Sequence, residues 1–121
     1  MKYLLMIYHN EQRWKELSEA ELQQMYQEFG KLRERLQANG RFLGGAQLQP
    51  TVTATSVRIR DGKELVTDGP FAETHEQLGG YLLIDVNNAD EAIAIAREIP
   101  LSRTGTIEVR ALVERVAEAN A

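Results

Sequence analysis

Asp68 is the first residue of this chain placed to do chemistry. It sits in the run Thr67-Asp68-Gly69-Pro70-Phe71-Ala72-Glu73-Thr74-His75, which is too polar and too broken by Gly and Pro to be core. A carboxylate at a strand end, beside a turn held by Pro70, acts as a general acid or base once burial disfavours its charge. The same carboxylate is equally suited to accept the backbone N–H groups of its own turn. His75 in this run and His9 near the start are the two histidines of the chain. Imidazole changes charge near neutral pH, so either one beside Asp68 would make an acid–base pair; each is also at home as a partly exposed surface residue. A pair of one histidine with Asp68 falls short of the three protein ligands that a catalytic zinc takes, so no metal or other cofactor is expected.

Further binding groups lie on flanking segments. Arg58, Arg60, Arg110 and Glu108 fall on the polar side of alternating stretches. A guanidinium there can hold a carboxylate or phosphate through two hydrogen bonds, or it can pair across strands with an acid. Phe71 and Tyr81 flank the central run and can stack on a ligand or anchor the loop in the core. Gly79-Gly80 is followed by neither a helix start nor Lys-Ser/Thr, so it is not a phosphate loop. Ser18 is accounted for as a helix cap.

Composition narrows the classes. A chain of 121 residues with 43% hydrophobic and 26% charged residues reads as one soluble domain, residues 1–121. The formal net charge of −4 and the lack of a basic stripe argue against nucleic acid. With no cysteine, disulfides, thiolate metal sites and cysteine nucleophiles are excluded. The apolar start at residues 3–8 is too short for a signal peptide and meets Glu11, Arg13 and Lys15 at once, and no segment is long enough for a membrane span. A cytoplasmic location is the expectation.

The elements that must position these residues follow in order. Residues 3–8 form a continuous apolar run, as expected of a strand covered on both faces. A loop carrying Trp14 leads to a helix. Ser18 and Glu21 make its capping box, and Leu22, Met25, Phe29, Leu32 and Leu36 form one apolar face opposite Gln24, Glu28, Lys31 and Arg35. Gly40 stops it. An irregular strand at 42–48 is closed by Pro50. Residues 53–60 alternate, with Val57 and Ile59 against Arg58 and Arg60, and Asp61-Gly62 turns the chain back as a hairpin through 64–67. Residues 81–86 form a second apolar strand. Asn88 caps a second helix with Ala92, Ile93 and Ala96 turned inward, ending before Pro100. A last strand spans 106–113, and a tail from 114 onward is frayed helix or coil.

Two right-handed crossovers onto one antiparallel sheet give an α+β, ferredoxin-like sandwich. Its helices cover one face only. The two-sided apolarity of residues 3–8 and 81–86 then calls for a second copy packed sheet to sheet, a homodimer.

The run Asp-Gly-Pro-Phe-Ala-Glu-Thr followed by Glu-Gln-Leu-Gly-Gly-Tyr resembles the signature of the DGPF, or YCII-related, family. The likeness extends to Met1-Lys2-Tyr3-Leu4-Leu5-Met6-Ile7-Tyr8, to residues 55–67 and to Thr106-Ile107-Glu108-Val109-Arg110. The resemblance implies the dimeric α+β barrel superfamily, with bacterial members of undefined activity. Neither histidine falls on a motif position of that family. Two functions stand. One is a small-molecule-binding protein with a pocket near the Asp68 loop and acid–base chemistry. The other is a non-catalytic regulatory or interaction module, which the resemblance links to alternative sigma factors.

Overall fold

A computed structural model describes residues 1–114; the tail expected past residue 114 lies outside the described residues. Strand β1 (Lys2–His9) is followed by a short helix α1 (Glu11–Lys15) and a long helix α2 (Glu19–Ala38). Strand β2 (Phe42–Gln47), a hairpin of β3 (Thr55–Arg60) and β4 (Lys63–Asp68), and strand β5 (Gln77–Asp85) come next. Helix α3 (Ala89–Glu98) and strand β6 (Thr106–Ala111) complete the described chain. The main sheet has the order β2-β5-β1-β6, and each of its strand pairs is antiparallel. This is the ferredoxin-like α+β arrangement expected from the alternation of elements.

Local chemistry builds these elements as read. The Ser18 hydroxyl accepts the Glu21 N–H at 3.1 Å, and the Glu21 carboxylate accepts the Ser18 N–H at 3.0 Å. Asn88 caps α3 through the Glu91 N–H at 3.0 Å. At the hairpin tip, Arg60 pairs with Lys63, and Asp61 and Gly62 both take positive φ, 53° and 74°. That geometry matches the strand twist, which is why Asp-Gly is favoured there.

Odd residues of β1 (Tyr3, Leu5, Ile7) and even residues of β5 (Leu82, Ile84) point under the helices and are buried. Leu32 and Leu36 of α2 and Ala92, Ile95 and Ala96 of α3 close over them. The opposite face of the sheet carries no helix of the described residues. Leu4, Met6 and Leu83 are only half-buried there, and Tyr81 is exposed.

Three local expectations are corrected. Residues 11–15 are a helical turn, not loop. Asn10 accepts the Arg13 N–H at 3.0 Å, and the Glu11 carboxylate accepts the Thr51 N–H at 2.8 Å, so tertiary bonds hold what propensity would not. Ile93 is 39% exposed, because the buried stripe of α3 runs through Ala92, Ile95, Ala96 and then Ile99, placing Ile93 past its edge. The hairpin does not join the main sheet but forms a two-stranded sheet of its own. Its base closes through the Gly69 N–H to Ala54 at 2.6 Å and the Ser56 hydroxyl to Gly69 at 2.8 Å.

The caps set an acid limit on stability. The Ser18 backbone and hydroxyl hold the Glu21 carboxyl below its ordinary range, Arg103 with Gln24 does so for Glu28, and the Asn87 backbone does so for Glu91. A carboxyl whose folded pKa is depressed contributes stability that is present above the unfolded value, 4.5, and is lost as pH falls through the folded one. The denaturant midpoint is therefore expected to fall as pH drops from about 5 to about 3. Glu28→Gln should flatten part of that slope, as denaturation at several pH values would read; an unchanged slope would show the Arg103 pairing does not matter.

Candidate functional site

A cavity with a volume of about 280 Å³ lies between the middle of α2 and the sheet. Ile7 and His9 enter from β1, Gly45, Ala46 and Gln47 from β2, and Gly79, Gly80 and Leu82 from β5; Trp14, Met25, Tyr26, Phe29, Gly30 and Arg33 come from the helices, and Leu101 closes an end. Two register shifts shape this floor. One lies between Ile7 and Tyr8 against β5, where Ile7 pairs with Gly80 and Tyr8 with Leu78, leaving Gly79 as the extra residue. The other lies between Phe42 and Gly44 on β2. Such bulges re-aim side chains where pairing is interrupted.

At Gly79 the missing side chain makes room for His9. A Cβ added there would sit 2.2 Å from His9 Nε2 and 2.4 Å from Cδ2. The imidazole is packed by its other neighbours too: its ring centroid is 5.3 Å from that of Trp14, whose own ring meets Tyr26 edge-on at 6.1 Å. His9 Nδ1 is buried and has no hydrogen-bond partner among the described residues. Buried polar nitrogens are seldom left so, because an unmade bond forfeits the desolvation cost of the group. Tyr26 and Gln47 bond to each other through the phenol oxygen at 3.2 Å, closing the wall beside His9.

A second cavity of about 260 Å³ lies on the other side of Trp14 and shares His9, Trp14, Met25 and Leu101 with the first. His9 thus borders both.

The residues singled out from the sequence are placed as follows. Tyr81 borders the main cavity, although register pairs it with Met6 on the helix-free face. Asp68, His75, Arg58, Arg110 and Phe71 are not among its walls, and Phe71 is 78% exposed. Asp68 faces Thr55 across the hairpin while Arg58 faces Leu65, so the two side chains leave opposite faces and are not brought together. His75 is exposed, and its carbonyl accepts a long bond of 3.5 Å from the Asn10 amide. Arg110 and Glu108 lie on the helix-free face of β6, where burial and then the Glu108 carboxylate push the Tyr8 phenol above its ordinary range, with Arg110 opposing.

Trp14, Gly30, Arg33 and Gln47 were not legible as site residues, and His9 was read only as a candidate partner of Asp68. One signal for His9 was present: it continues the two-residue spacing of Tyr3, Leu5 and Ile7, which carries it onto the helix-covered face. No helix of the described chain is long and apolar enough to cross a membrane.

Comparison with known proteins agrees with the architecture. An uncharacterized protein of Rhizobium meliloti (strain 1021) is 35% identical over 114 residues, spanning 93% of this chain and 92% of that one. The profile of the YCII-related domain matches residues 1–115. On that match and that relative, the chain belongs to the YCII-related family.

Proposed function

We propose that this protein binds a small, largely apolar molecule in the cavity between α2 and the sheet, with His9 as its polar anchor. The observation that carries this reading is a largely apolar cavity with His9 on its wall, the buried His9 Nδ1 having no hydrogen-bond partner among the described residues. Ligand sites combine an apolar lining with a few placed polar groups, and His9 and Gln47 are such groups in this lining. Trp14 is the sole tryptophan and lines the cavity, so its emission reports occupancy directly. Titration with single-ring aromatic compounds such as phenol and benzyl alcohol is expected to shift Trp14 emission and raise the melting temperature. His9→Phe should keep the fold and weaken the response about tenfold, the worth of one hydrogen bond to a buried group. A wild-type chain that responds to none of these compounds would overturn the proposal.

The protein is further proposed to be a homodimer joined through the helix-free face. Leu4, Met6, Tyr8 and Leu83 are only half-covered there beside Leu78 and Tyr81, and the whole β3–β4 hairpin except Ser56 is exposed. An isolated hairpin is marginal in water, so a second copy over this side would stabilise it. An acid–base role for Asp68 or His75 belongs with that second copy, since both are exposed in the single chain and only a partner surface can desolvate them. Light scattering at micromolar concentration should give twice the chain mass of 13.7 kDa; a stable monomer would reject the dimer.

A further inference from the structure

Arg33 is set apart from the arginines around it. Arg35 pairs with Glu98, Arg41 with Glu91 at 3.4 Å and Arg103 with Glu28 at 2.8 Å. Arg33 has no carboxylate partner among the described residues. Arg33 is exposed, and its guanidinium carbon lies 4.8 Å from the centroid of the Phe42 ring, a stacking that steadies the planar fork at the rim of the cavity. Among the described residues no aspartate or glutamate lines the cavity, and Arg33 is the one permanent charge in that lining. An unpaired guanidinium beside an apolar space favours an anion that is itself apolar elsewhere.

Gly30 stands three residues before Arg33, so both occupy one face of α2 and both line the cavity. Glycine inside a helix is disfavoured relative to alanine, because it leaves more backbone freedom to be lost on folding. Packing does not demand it here: a Cβ added at Gly30 would meet nothing within 4 Å. The position is thus bare without a packing demand for it, and it shares the cavity lining with Arg33.

We infer that the cavity takes a small apolar carboxylate, its acid group held by the Arg33 fork and its hydrocarbon body lying against Gly30, which sets the girth admitted. This inference rests on the reading of the cavity as a ligand site. Two matched pairs of probes test it: phenylacetate against neutral phenylacetamide, and hexanoate against hexanamide, each titrated into the full chain and followed by Trp14 emission. The acids are expected to bind about tenfold tighter than their amides, as a charge-assisted bidentate contact provides. Arg33→Met should erase that preference while leaving amide binding in place, and Arg33→Lys should restore part of it. Gly30→Leu should block all four probes while keeping or raising the melting temperature, since leucine is the better helix former. Equal binding of acid and amide, or a preference that survives Arg33→Met, would overturn the carboxylate assignment and leave the cavity reading standing. Probe binding unaltered by Gly30→Leu would overturn the role of Gly30. No response to any probe would remove the cavity reading and this inference with it.

Discussion

Leu36→Ala is expected to lower the unfolding free energy by about 2–5 kcal/mol, read as a fall in the urea midpoint. Leu36 is 2% exposed and ranks with Leu5, Leu82, Ile84 and Ile99 among the largest fully buried side chains. It stands one helical turn beyond Leu32, and both sit in the cluster that includes Ile95 and Ile99 from the other helical side. Truncation removes apolar contact and leaves a cavity that the two helices, tied to a four-stranded sheet, cannot collapse to fill. The matching control is Ile93→Ala on α3, which sits largely outside that cluster and should cost well under half as much. A Leu36→Ala chain with an unchanged midpoint would show that the inward face of α2 is misassigned.

Gly79→Ala is expected to dismantle the candidate site while leaving the fold in place. The new methyl carbon would lie 2.2 Å from His9 Nε2, a separation no pair of such atoms tolerates, so the imidazole must turn out of its place. Gly79 itself does not occupy the left-handed backbone region that Gly69, at φ 92°, requires, so alanine is acceptable to the main chain. The cost is that of overpacking, roughly 1–3 kcal/mol. With the ring displaced, the His9–Trp14 contact is lost, and Trp14 emission should shift even without ligand. Probe binding in the cavity should fall with it. Wild-type emission together with a wild-type melting temperature would mean that the ring has room to move and that Gly79 does not position His9.

The parts of this molecule that the residues dictate by themselves are those closed by short-range bonds. The Ser18–Glu21 box, the Asn88 cap and the Asp61-Gly62 turn each satisfy backbone groups within four residues, so the same chemistry holds whatever the rest of the chain does. The inward face of α2 and the alternation in β6 follow from period alone, and together with element order they determine the ferredoxin-like sandwich. The site was not legible in this way. His9 and Gly79 are 70 positions apart in the chain, and their apposition depends on a register shift in β5 that no local pattern announces. Arg33 becomes a cavity residue only because Phe42 comes back beneath it, and Trp14 only because Glu11 is bound to Thr51. Asp68 suited either a working carboxylate or one that holds its own turn, and the hairpin it ends stands apart from the main sheet and turns Arg58 to its other face. Side-chain type and spacing along one segment determine which face a residue takes. Which faces then enclose a space is decided by the pairing of distant strands, where a single bulge moves a glycine opposite a histidine.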